Sequence, residues 1–182
     1  MKTFEKWIYI SVPLIITLSA AGRHIYNLVN QAEAAAPFVP INKSIWEYLK
    51  TLVYPVLTFW AAAYFARYKL KITREGVLVG AALSVYISPF MTVMLHYFYI
   101  SAFGIHSRAV DFLIAVLSVM TGQFVAHQMC IYVCPGKKQC IYAGSVIIIL
   151  IMAVIIFTYH PPKLPVFMDP VTGTYGIRRI MD

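Results

Sequence analysis

Five long apolar runs in a chain of 182 residues leave very few folds open to it. A helix needs about 20 apolar residues, at 1.5 Å each, to cross a bilayer. The runs meet that at about 7–29, 44–66, 76–103, 112–133 and 141–159. The chain therefore reads as all-α, an integral membrane bundle of five transmembrane helices. Residues 1–160 form the bundle and 161–182 an extracytoplasmic C-terminal tail. Pro13, Pro55 and Pro89 fall inside runs, where neighbouring helices can re-satisfy the freed carbonyls. No internal repeat is evident, and an odd helix count argues against an inverted duplication.

Only 12% of the residues are charged and mean hydropathy is +0.73, against about a quarter charged in soluble domains. The net charge of +8 sits between apolar runs, where cytoplasmic Lys and Arg belong. It is thus no sign of nucleic acid; the expected partner is the lipid bilayer. The first run, with Lys2, Lys6 and Ser19-Ala20-Ala21-Gly22, has some look of a signal peptide. Apolar and aromatic residues continue to Val29, which favours a retained helix.

Lys2 and Lys6, then Arg67, Lys69, Lys71 and Arg74, then Lys137 and Lys138 share one side of a five-span chain. By the positive-inside rule that side is cytoplasmic, so the topology is N-in and C-out in a plasma (inner) membrane. Arg178 and Arg179 oppose it. Cys130, Cys134 and Cys140 then lie where thiols stay reduced, and their spacing is not a usual zinc pattern.

Ionisable groups inside spans are costly and are functional candidates. His24 lies 18 residues beyond Lys6, about 27 Å across, and His96 is 21 residues beyond Glu75, about 32 Å. Both reach the outer level, where Glu47 and Lys50 open the second span and Asp111 the fourth. His127, about 24 Å deeper than Asp111, belongs near the inner face. Faces agree with depths. Arg23, Asn27 and Asn30 form one stripe; Lys43, Glu47, Lys50 and Tyr54 another; Ser84, Ser88, Thr92 and His96 a third. Ala115, Ser118, Gly122 and Ala126 make a small-residue seam suited to close helix contact, including contact in a homo-oligomer.

Each candidate also has a plain structural reading. Ser44 and Glu47 form a capping box. Lys50 and Arg23 snorkel to headgroups, Trp46 anchors at the interface, and His24 and His96 are interfacial. Asp111 complements a helix N-terminus, and Gln123 and His127 hydrogen-bond between helices. Collectively, His24, Asn27, Glu47, Lys50, His96 and Asp111 form a ligand or proton site. His24, Glu47 and His96 are also a weak metal set. Lys50 beside them disfavours a cation. No H-E-x-x-H, Gly-rich phosphate loop or G-x-S-x-G occurs, and no cofactor is indicated.

The tail is proline- and turn-rich from Pro161. Asp169, Thr172, Gly173 and Tyr175 fit a cap over the outer face. Two segments, residues 40–50 and 167–176, resemble a family of small bacterial multi-span membrane proteins with no assigned function. The first resembles P-[VI]-N-E-S-x-W-E-H-L-K, with Asn42, Ser44, Trp46, Glu47 and Lys50 at motif positions. Lys43 and Tyr48 stand where that pattern has an acid and a His, which weakens a metal or acid–base role there. The resemblance implies no residue roles.

Three functions fit. The first is a non-enzymatic protein with an outward polar cavity that binds or passes a small ion or polar ligand, with transport included. The second is an intramembrane enzyme acting on a lipid or quinone-like substrate at the outer interface, which needs an acid–base pair in a lipid-accessible cleft. The third is a structural or partner subunit of a membrane complex.

Overall fold

The computed structural model describes residues 2–28, 35–104, 107–133 and 135–176, with side chains for all of these but 2 and 23–28. Five helices follow in order: α1 (Lys2–Leu28), α2 (Ile45–Leu70), α3 (Arg74–Phe103), α4 (Arg108–Gln128) and α5 (Lys137–Tyr159). α4 runs on into a π-helical turn, Met129–Val133, and a 3-10 turn at Pro165–Phe167 begins the tail. Among the described residues there is no strand, only an isolated bridge between Met168 and Tyr175. All five helices are long and apolar enough to cross a membrane, as in a multi-pass membrane protein.

Helix ends follow local chemistry. Ser44 caps α2 by accepting from the Glu47 N–H at 3.3 Å, and Thr73 caps α3 by accepting from the Gly76 N–H at 3.0 Å. α2 stops at Lys71, which is left-handed (φ 55°). From there the Ile72 N–H reaches back to the Arg67 carbonyl at 3.1 Å, and satisfies one of the orphan carbonyls of the helix end. Gly104, also left-handed (φ 64°), ends α3, and its own N–H donates to the Ile100 carbonyl at 2.8 Å.

α3 is the central helix and packs on α2, α4 and α5; α1 packs on α2 and α4. The core joins Phe4, Ile8 and Ile15 to Leu52, Val56, Phe59 and Trp60, then to Val77, Val85 and Val119. Gly80 lets α2 approach α3, since a Cβ there would lie 2.5 Å from the Trp60 ring. Ile148, Ile149, Met152, Ile155 and Ile156 of α5 stay exposed, the face a lipid-contacting helix presents.

The α3–α4 contact is the closest. A Cβ on Gly122 would fall 2.2 Å from the Ser88 hydroxyl oxygen and 3.1 Å from the Ser84 carbonyl. The small-residue seam of α4 is therefore spent inside the chain. Ala115, Ser118, Gly122 and Ala126 are all buried there, so the seam is not free for a second copy.

Candidate functional site

One end of the bundle carries the 35–44 loop, the α3–α4 connection and the tail. Three structures meet there. The first is a clamp on the loop. Lys50 and Glu47 sit one turn apart on α2 and form an ion pair of 2.5 Å, with side chains 1% and 3% exposed. Lys50 Nζ also donates to the Ala36 carbonyl at 2.9 Å and to Thr158 Oγ1 of α5 at 3.2 Å. Glu47 Oε2 accepts from the Ile41 N–H at 2.9 Å, and the Tyr54 hydroxyl donates to the Pro37 carbonyl at 2.7 Å. The polar stripe of α2 thus grips three backbone groups of a loop whose Ala36 and Val39 are buried.

Two expectations are corrected here. Lys50 does not snorkel, because a carboxylate, a carbonyl and a hydroxyl satisfy its three donors inside the protein. The capping box is only half formed. Glu47 reaches Ile41 rather than the N-cap amide, and the Ser44 N–H donates instead to Asn42 Oδ1 at 2.9 Å.

The second structure docks the tail on the start of α2. Asp169 is buried; its Oδ1 accepts from the Val171 N–H at 2.8 Å and its Oδ2 from the Lys43 N–H at 3.5 Å. Asn42 Nδ2 donates to the Gly176 carbonyl at 3.3 Å. The Asp169 N–H donates to the Thr174 carbonyl, and the Gly173 N–H to the Asp169 carbonyl. Left-handed Gly173 (φ 68°) makes that turn possible. Thr172 and Thr174 join through their hydroxyls at 2.7 Å, and Tyr175 closes the bridge to Met168. Trp46 packs against Phe167 and Phe157, at 4.9 and 5.5 Å between ring centroids. Half-buried, it anchors the tail to the start of α2. The two motif segments, 40–50 and 167–176, are therefore a single contact.

The third structure is a cleft of about 420 Å³ between α2, α3, α4 and the tail. His96 Nδ1 and Asp111 Oδ1 face each other on its wall at 3.2 Å. Lys43, Tyr48 and Tyr97 add polar groups, while Ile100, Ile114 and Met168 add apolar surface. Thr92 lies at its floor, fully buried, and donates to the Ser88 carbonyl at 2.9 Å.

His96 and Asp111 thus come together, whereas Glu47 and Lys50 do not line the cleft. The side chains of His24 and Asn27 lie outside the described residues, as do those of Arg23 and Asn30 and all of Cys134. Among the described residues, no three His, Cys, Asp or Glu side chains gather as a metal site. Cys130 and Cys140 are free, and the Cys130 thiol donates to the Gly76 carbonyl at 3.1 Å.

Gln123 and His127 depart from expectation. His127 stacks on Phe4, 5.1 Å between centroids. The Gln123 amide is fully buried, and neither of its polar atoms has a hydrogen-bond partner among the described residues. Thr158, Ala36 and Tyr97 carry part of the site, yet no sequence pattern singles them out.

Residues 1–177 match the family described as "Family of unknown function (DUF6512)". No curated protein and no solved structure matches the chain.

Proposed function

The chain belongs to this family of unknown function, so its role must come from its own geometry, and we propose that it is a membrane protein binding a small polar or amphiphilic ligand in the tail-end cleft. The observation that carries this reading is the His96–Asp111 pair on the wall of a 420 Å³ cleft roofed by Pro165, Met168 and Pro170. Such a pair offers both a hydrogen-bond donor and an anionic acceptor, and the apolar walls suit the body of a small ligand. Lys43 at the rim selects against a bare divalent cation.

In this reading the cleft opens outward. Support comes from the eight Lys and Arg of the N-terminus and the 67–74 and 137–138 segments, which gather at the opposite end of the bundle. Glu47 and Lys50 hold the loop and tail that shape the mouth. His24 and Asn27 remain candidates for the same level.

A second reading draws on the same pair. An imidazole and a carboxylate within hydrogen-bond reach are the acid–base machinery that an enzyme acting on a lipid or quinone-like substrate requires. A subunit role draws no support from any specific feature.

The test is thermal stability of the purified protein against a panel of metals, lipids, quinones and small polar solutes. Asp111→Asn and His96→Ala are measured in parallel. A shift in the wild type that both variants lose supports the cleft. Shifts kept by both variants overturn it. Conversion of a shifting lipid or quinone, lost in both variants, selects the enzyme.

A further inference from the structure

A second hollow, of about 350 Å³, lies between α2, α3 and α5 at the end of the bundle away from the cleft. Leu57, Ala61 and Phe65 line it from α2, and Arg74, Leu78 and Ala81 from α3. Each set recurs at three- and four-residue spacing, so each is one face of its helix. From Leu57 to Phe65 is a rise of about 12 Å, and from Arg74 to Ala81 about 10 Å. The hollow is therefore a groove that starts at the α2–α3 turn and runs into the span. Ala61, Phe65 and Arg74 are exposed, so it opens sideways, towards lipid in a chain whose helices cross a membrane.

We propose that this groove binds one anionic phospholipid, with an acyl chain along Leu57, Ala61 and Ala81 and the phosphate on Arg74 at the mouth. Charge decides the class of lipid. Around the turn, Arg67, Lys69, Lys71 and Arg74 face a single acid, Glu75, and Glu75 does not line the groove. Among the described residues neither Arg67 nor Arg74 pairs with a carboxylate. Arg67 donates to the Tyr64 carbonyl at 2.9 Å and to the Tyr68 hydroxyl at 3.0 Å. It also lies over both rings, 4.6 and 4.4 Å from their centres. These partners fix the guanidinium but are neutral, so its charge stays uncancelled. Tyr64 lines the groove, which sets this second cation beside the mouth.

The helix end points the same way. Arg74 is the first residue of α3, where the helix dipole opposes a cation and favours an anion. A bound phosphate offsets that opposition and meets the guanidinium in a charge-assisted hydrogen bond. Beyond the mouth the walls are apolar, so a free phosphate uses only part of the groove, whereas an acyl chain covers the rest. In the topology proposed above this end is cytoplasmic, and that leaflet carries the anionic lipids. Groove and cleft lie at opposite ends, so either reading can fail alone.

The test is native mass spectrometry of the full chain in a neutral detergent, with phosphatidylglycerol and phosphatidylcholine of identical chains as the added lipids. Wild type should bind phosphatidylglycerol at least about fivefold more tightly, the worth of one cation beside anionic headgroups. Arg74→Gln should lower that ratio about fivefold. Ala61→Phe should fill the groove and lose the tight adduct with both lipids. Both substitutions fall at exposed positions, which spares the core. Arg108→Gln removes one cation at the other end of the bundle and should keep the wild-type ratio. Equal affinity of the wild type for the two lipids overturns the proposal. So does a wild-type ratio in Arg74→Gln, or a wild-type adduct in Ala61→Phe. An equal fall in Arg108→Gln overturns it as well, because net charge alone then explains the preference. Glycerol phosphate that binds as tightly as the lipid overturns the lipid as occupant.

Discussion

Replacing Lys50 by Met tests whether the ion pair is architecture. The side chain is 1% exposed and meets Glu47, the Ala36 carbonyl and Thr158. Methionine keeps the length and apolar volume but removes the cation. Among the described residues, Glu47 is then left as a buried carboxylate held by the Ile41 N–H alone. Breaking one side of a buried pair costs about 3–5 kcal/mol, most of it from the stranded charge. For a chain of this size that is a fall in Tm of about 6–20 °C. The double variant Glu47→Leu/Lys50→Met strands no charge, and it should lose less than the sum of the two single-variant losses. What remains is the cost of the unpaired Ala36 carbonyl and Ile41 N–H, about 1–3 kcal/mol each. The assay is thermal unfolding of the four proteins in one detergent. A loss below about 1 kcal/mol for Lys50→Met, or single-variant losses that simply add in the double, would refute the argument that a desolvated charge pair holds the loop.

Gly122→Val should cost about 3 kcal/mol by forcing α3 and α4 apart, read as a lower Tm; an unchanged Tm would mean the helices are not in contact there. Asp169→Ala removes two acceptors from tail and loop amides, and should cost about 1–2 kcal/mol. It should also speed proteolysis within residues 161–176 while the helices are cut no sooner. Lys71→Gly relieves a left-handed non-glycine residue and should raise stability by about 1 kcal/mol; a loss would show that the Lys71 side chain contributes more than its backbone costs. Val171 is exposed on the tail. In a chain lacking Cys130, Cys134 and Cys140, Val171→Cys should react with a membrane-impermeant maleimide on intact cells, and labelling only after lysis would reverse the topology.

The helices are legible in the sequence because hydropathy over a span needs no partner to be read. Depth is legible for the same reason, since 1.5 Å per residue places His96 and Asp111 on one level. What depth leaves open is azimuth. Lys50 looks like a headgroup ligand because its partners are a loop carbonyl and a threonine 108 residues away. Gln123 and His127 share a face at the spacing that suggests a hydrogen bond, but Phe4 of another helix takes up the His127 ring. The small-residue seam announces close packing, but periodicity says nothing about whether the other helix belongs to the same chain. The joining of residues 40–50 to 167–176 is likewise visible only in three dimensions, although each segment stands out alone.

The position of Glu47 within one turn of Lys50 bears on how this chain enters a membrane. Thr158 is synthesised 108 residues after Lys50, and Asp169 follows Lys43 by 126. When the second helix leaves the translocon, neither partner exists. A lone lysine near the end of a span would at that moment have to be held in water or lipid headgroups. A carboxylate made three residues earlier gives the segment a net charge of zero at that site, so it can partition as a unit. Thr158 and the tail then arrive at a preformed pair. Of the partners Lys50 has in the finished bundle, Glu47 and the Ala36 carbonyl precede it in the chain and only Thr158 follows.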